Sequence, residues 1–295
     1  MLFALSALVV FGLRKFGVRE RELHLLFLFV IVSHAAFTLF IHYTGFQPFG
    51  GGIEGGDFVR YNASAQEFAE RLRQGNFSLD GLGFSRLTHF PMMIGFVYAL
   101  VVPAMVVGQL FVVWVAALAV ITLYYLTREI GGSRLWAFLV GVIASFYPSF
   151  VFFTSYVLKE ALIIFFVLLS LLLLFKLLKQ FAWRYYVLLF IIALPLANLR
   201  SEIYDVFAII FFVSWFVLAN MDFKRRVVIG AVMFLLYGFA PLVATSGGYY
   251  DYETFKFDLN IDKAVSLKEN AYLPVIPSIP LKEEKTVSQA QEPNA

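Results

Sequence analysis

Cysteine is absent from all 295 residues. That removes disulfides, thiolate metal sites and thiol nucleophiles together, and leaves the redox compartment open. Charge is sparse as well: Asp, Glu, Lys and Arg make up 15% of the chain, and the formal net charge of +3 is scattered. No basic patch points to nucleic acid. Histidine occurs four times. His24, His34 and His42 fall along one apolar stretch at separations unlike those of metal ligands. No internal repeat stands out, so nothing suggests a transporter of duplicated halves.

Apolar residues fill the space. Hydrophobic residues reach 61%, with 35 Phe, and the mean hydropathy is +0.80. These values exceed what a soluble fold of this length carries and indicate an all-α, polytopic helical membrane protein. Reading spans by the rule that ~20 apolar residues cross a bilayer gives Leu2–Leu13, His24–Thr44, Pro91–Leu126, Leu135–Tyr147, Val151–Phe175, Tyr185–Leu196, Ile203–Ala219 and Val227–Ala244. The expectation is about seven to nine membrane segments. Leu2–Leu13 is followed by Arg14, Lys15, Arg19 and Arg21 and by no small-residue cleavage pattern, so it reads as an anchoring span.

Pro91–Leu126 is too long for one crossing and barely long enough for two, with Pro103 and Gly108 as breaks. One crossing plus a half-helix places the loops after Leu13, Leu126, Phe175 and Ala219 on one side. They carry Arg14, Lys15, Arg19, Arg21, Arg128, Arg134, Lys176, Lys179, Arg184, Lys224, Arg225 and Arg226. That is the cytoplasmic pattern. Residues 45–90 and a polar tail over 245–295 then become extracytoplasmic, the tail's end being Pro-, Lys- and Glu-rich and without the means to bury a core. The membrane module is 1–244.

Within loop 45–90, Phe58, Tyr61, Ala65, Phe68, Ala69 and Leu72 recur at helical spacing, with Arg60, Gln66, Glu67, Glu70, Arg71 and Arg73 around them. This predicts an amphipathic surface helix over 58–74, with Asp57 as N-cap and Gly75 as its stop. Asn62-Ala63-Ser64 and Asn76-Phe77-Ser78 match the N-glycosylation triplet, which is common by chance. Further on, Lys159 and Glu160 sit where an apolar run resumes. Adjacent helical residues point different ways, so the two are expected to serve different partners. Arg200 stands at the end of a membrane helix with Glu202 and Asp205 close by, a position that suits an interfacial ion pair or a bound anion.

The stretch "EGGDFVRYNASAQEFAERLRQGNF" after an early membrane helix resembles the first outer loop of GT-C glycosyltransferases, in particular the protein mannosyltransferase and aminoarabinose transferase group. The matching positions are Gly55, Gly56, Asp57, Tyr61, Ala65 and Gly75. "THFPMMIGFVYALV" and "LPLANLRSE" are similar to later elements of that family, and the order of these pieces carries the likeness over about residues 2–244. Family members commonly have more helices and a folded outer domain, so the chain reads as a short or truncated relative.

The resemblance implies transfer of a sugar from a polyprenyl-phosphate donor, within the bilayer, to an acceptor glycan, lipid or protein at the extracytoplasmic face of a plasma membrane, if the source is prokaryotic. Such a displacement needs a carboxylate to take the acceptor's proton and cations to hold the departing phosphate. Asp57 is the expected base, and Arg200 and Lys159 the phosphate ligands. Tyr61, His89, Glu160 and Glu202 are further substrate-binding candidates. Where some members carry an acidic pair, the expected loop position here holds one acidic residue, so a divalent metal is not required by the sequence and, if bound, falls on Asp57. Two other classes share these features: a polysaccharide polymerase-like envelope-glycan enzyme, and a non-catalytic membrane subunit or scaffold.

Overall fold

A computed structural model describes residues 6, 21–45, 56–76, 89–219 and 221–244. All belong to the first of two compact units, Met1–Tyr249. The expected span Leu2–Leu13 apart from Ser6, most of loop 45–90 beyond its helix, and the tail 245–295 lie outside the described residues.

Every regular element among the described residues is a helix. In chain order these are α1 (Arg21–Thr44), α2 (Asp57–Arg73), α3 (His89–Leu100), α4 (Met105–Glu129), α5 (Arg134–Ser145), α6 (Pro148–Thr154), α7 (Glu160–Lys179), α8 (Trp183–Leu199), α9 (Ser201–Leu218) and α10 (Phe223–Ala244). Helices α1, α4 and α7 are each long and apolar enough to cross a membrane, and α5 with α6, bent by 65° at their junction, makes a fourth if the pair is one span. The protein is therefore a helical membrane protein.

Helix α4 is the axis of the bundle. Ala116, Ala117 and Ala119 are fully buried, and such small residues let neighbouring backbones approach closely. On one side α4 meets Leu23, Leu26, Phe27 and Val30 of α1 through Ala117, Val120 and Tyr124; on the other it joins a larger core with α7 and α8. Helices α4 and α7 run parallel. Gln109 near the start of α4 donates to Ser155 O just before α7 at 2.9 Å, and Lys179 at the end of α7 pairs with Glu129 at the end of α4 at 2.9 Å. The intervening α5–α6 must return the chain between those two ends.

Punctuation along the chain explains the boundaries. Gly131, at φ +99°, ends α4, and the Ser133 side chain accepts from Trp136 N to start α5. Pro148 opens α6, where its missing N–H costs nothing. The expected span Val151–Phe175 is consequently not continuous: its first residues belong to α6, and the chain breaks over 155–159 before α7 begins at Glu160.

The tract Pro91–Leu126 divides at Val101–Ala104 into α3, 12 residues long, and α4, 25 residues long. At 1.5 Å per residue the former reaches only about 18 Å, too short to cross. Pro103 lies in the break, but Gly108 does not. It sits inside α4, where a Cβ would meet Tyr98 Oη at 2.5 Å, so glycine here serves packing. Helix α2 lies along α3 and buries Tyr61, Ala65, Phe68 and Ala69 there. Tyr98 donates to Asn62 Oδ1 at 2.7 Å, and Arg73 donates to Tyr98 O at 2.9 Å, supplying a partner to a carbonyl at the end of α3. The amphipathic stripe thus packs on protein.

Candidate functional site

The expected N-cap at Asp57 is corrected. Gly56 occupies the cap in extended conformation, and Asp57 is the first helical residue of α2. Its carboxylate caps no N–H and instead lines a cavity. Gly75, at φ +74°, closes the helix as expected, with Asn76 N donating to Arg71 O at 2.9 Å.

That cavity, 260 Å³ in volume, brings together Asp57, Lys159, Glu160, Arg200 and Glu202, with Asn198 in its wall. Three separate stretches of sequence therefore meet at one place. An aromatic contact draws the first two together: Phe58, next to Asp57, packs on Tyr156 with centroids 5.0 Å apart, and Tyr156 in turn packs on Phe152. The third contribution comes from the α8–α9 junction. Arg200 is the single residue between those helices; its N–H closes α8 on Leu196 O at 2.9 Å, and its carbonyl accepts from Tyr204 N at 3.2 Å.

Each of the three carboxylates lies in the first turn of its own helix: Asp57 in α2, Glu160 in α7, Glu202 in α9. Helix N-termini carry partial positive charge, which favours these carboxylates as anions and also favours any anion brought to the cavity. Lys159 and Arg200 supply two full positive charges. Arg200 approaches Glu202 only to 4.0 Å, with side chains 50% and 78% exposed, so this pair contributes at most about 1 kcal/mol and leaves the guanidinium's donors available to a ligand.

Lys159 and Glu160 were expected to serve different partners because adjacent helical positions diverge. Both line this cavity, Lys159 from the cap position of α7 and Glu160 from its first turn. One Glu160 carboxylate oxygen, Oε2, is buried and without a hydrogen-bond partner.

Beside the charged cavity lies an apolar groove of 510 Å³. Its walls come from α4 (Val120), α5 (Ile143), α6 (Phe150, Phe153) and α7 (Ile163, Leu168). Glu160 and Arg200 line both spaces. A small charged pocket and a large apolar groove thus share one rim.

The chain matches no protein-family model, no curated protein and no solved structure.

Two sequence candidates stand apart from the cavity. Tyr61 is buried between α2 and α3, its ring 5.3 Å from Phe90 in an edge-to-face contact. His89 is the exposed first residue of α3. Among the described residues no group of three His, Asp or Glu side chains is placed to hold a metal ion.

The sequence reading missed the groove. Its one available signal was Pro148 within "SFYPSFVFF", a break inside an apolar run. A break there splays two helical arms and leaves a concave face between them.

Proposed function

We propose that the protein is a membrane glycosyltransferase that moves a sugar from a polyprenyl-phosphate donor to a hydroxyl or amide acceptor. The observation that carries this reading is the shared rim: Glu160 and Arg200 line both a charged cavity and an apolar groove. A lipid-linked sugar phosphate has the same two-part chemistry. Its isoprenoid chain needs a long apolar trough, and its phosphate needs cations at the mouth of that trough.

In this reading the chain occupies the groove, and the phosphate lies between Arg200 and Lys159. Glu160 and Glu202 accept hydrogen bonds from sugar hydroxyls. Asp57 accepts the proton of the acceptor as its oxygen or nitrogen attacks the anomeric carbon. The bond from that carbon to the phosphate oxygen breaks, and the negative charge remains on the departing lipid phosphate, held by the two cations.

Helix direction and charge together support an extracytoplasmic cavity. The cavity lies at the N-terminal end of α7, whereas Lys176 and Lys179 lie in the last turn of α7, Arg128 in the last turn of α4, and Arg134 at the start of α5 just after it. The positive-inside bias puts the latter in the cytoplasm and the cavity at the extracytoplasmic face. In this reading α8, α9 and α10 are further crossings, and the span expected from the sequence at 2–13 is one more, within the expected seven to nine.

The test is binding and transfer by the detergent-purified protein with a panel of polyprenyl-phosphate sugars. Saturable stabilisation by a donor, lost in Arg200→Ala, supports the reading. A wild type that no donor stabilises refutes it and returns the protein to the class of non-catalytic subunits.

A further inference from the structure

His34 is the one histidine that α1 buries among its apolar residues, 1% exposed, and it makes two polar contacts to the same broken span. Its Nε2 lies 2.9 Å from Ser145 O in the last turn of α5, and its Nδ1 lies 2.8 Å from Thr154 Oγ1 at the end of α6. A carbonyl only accepts, so Nε2 carries the proton and donates to Ser145 O; Nδ1 then shares the single Thr154 hydroxyl proton with Val151 O, which lies 3.1 Å from that hydroxyl. The first bond satisfies a carbonyl that helix termination leaves without an intrahelical partner. The imidazole also meets Phe150 edge-on, with centroids 5.5 Å apart.

The two arms that His34 ties together are the two that wall the apolar groove. Ile143, Ala144 and Tyr147 come from the first arm and its end, and Ser149, Phe150 and Phe153 from the second. Pro148 allows a bend but does not specify its angle, since a proline break tolerates a range of directions. A planar ring with a donor on one edge and an acceptor on the other, each held by a different arm, does specify it.

We propose that His34 is a positioning residue: it fixes the 65° bend between α5 and α6 and thereby the width of the apolar groove. The residue touches no substrate in this account. That the groove's occupant is an isoprenoid chain rests on the function proposed above; the strut itself does not.

The absence of cysteine makes the test direct. Leu135→Cys on α5 and Phe153→Cys on α6, both exposed and one on each arm of the bend, take the only two spin labels. With His34 intact, the pulsed-EPR distance distribution is narrow. His34→Phe keeps a ring but removes donor and acceptor, and the distribution broadens or splits. His34→Gln, whose amide restores one donor and one acceptor, narrows it again. A His34→Phe distribution as narrow as wild type overturns the proposal. Should His34→Phe fail to fold, Thr154→Val removes one hydroxyl alone and must broaden the distribution; a narrow one overturns the proposal equally.

Binding of farnesyl phosphate and of a longer polyprenyl phosphate separates this proposal from the lipid reading. A preference of about tenfold in the wild type should fall to roughly equal affinity in His34→Phe and return in His34→Gln. A wild type that binds neither lipid sinks the lipid reading, while the EPR distances still decide the strut.

Discussion

Glu160 and Arg200 stand on different helices, 40 residues apart, and each forms part of the wall of both the charged cavity and the apolar groove. Their meeting depends on two breaks. The chain leaves α6 and restarts at Glu160, and α8 hands over to α9 through Arg200 alone. Opposite charges at the rim of a low-dielectric trough are costly to keep there without a polar ligand to share.

Arg200→Ala should weaken binding of a polyprenyl phosphate by about 1.5 to 3 kcal/mol, roughly 10- to 150-fold, the range for a charged hydrogen bond. Stability should change by less than about 0.5 kcal/mol, because the half-exposed side chain has only a 4.0 Å contact with Glu202 to lose. Titration by tryptophan fluorescence and a thermal melt in the same detergent separate the two effects.

Asp57→Asn should bind donor as wild type does and transfer sugar roughly 10²- to 10⁴-fold more slowly, the usual contribution of a positioned base. The fold should persist, because Asp57 caps no backbone N–H. Single-turnover assays beside donor titration would reveal the split; equal losses in binding and turnover would assign Asp57 to the ground state instead.

Ala144→Trp places a large ring inside the groove. Affinity for a long-chain polyprenyl phosphate should fall at least about tenfold, while a short-chain alkyl phosphate that uses only the cations should bind unchanged. Uniform loss for both would locate the lipid chain elsewhere.

Gly95→Ala is expected to destabilise even though alanine is the better helix former by about 1 kcal/mol. The new Cβ would lie 2.7 Å from Ala65 O and 2.8 Å from Phe68 Cδ1, so α2 and α3 must separate. Overpacking of this kind costs about 1 to 3 kcal/mol. A lowered melting temperature with intact helical circular dichroism is the expected signature.

Much of this architecture is legible residue by residue. Composition alone identifies a membrane protein, because so many Phe, Leu and Val have no water-soluble fold to fill. Pro148, Gly131, Ser133 and Gly75 mark helix ends through backbone chemistry that acts within one turn. The stripe over Phe58–Leu72 gives α2 and its buried face. Less legible was the exact register at ends. Asp57 looked like a cap because Asp commonly is one, yet the helix starts one residue earlier, with Gly56 in ordinary extended backbone as the cap. The 151–175 run looked continuous because the interruption at Ser155–Lys159 contains apolar residues, Tyr156 and Val157, which are buried, and Leu158, which is partly so.

What the sequence by itself determined is where the chain is apolar, where it turns, and which few side chains are charged inside or beside apolar runs. Those properties are local, set by solvation and by the backbone limits of Pro and Gly within a few residues. Only the tertiary structure decided that Asp57, Lys159 and Arg200 share a cavity, that a groove opens beside it, and that His34 holds Ser145 and Thr154. These relations join positions roughly 40 to 140 residues apart, and they depend on α4 and α7 packing parallel with the bent α5–α6 pair returning between their ends. An apolar helix surface carries little information about which neighbour it meets, since packing between helices in a bilayer rests on shape and a few polar bonds.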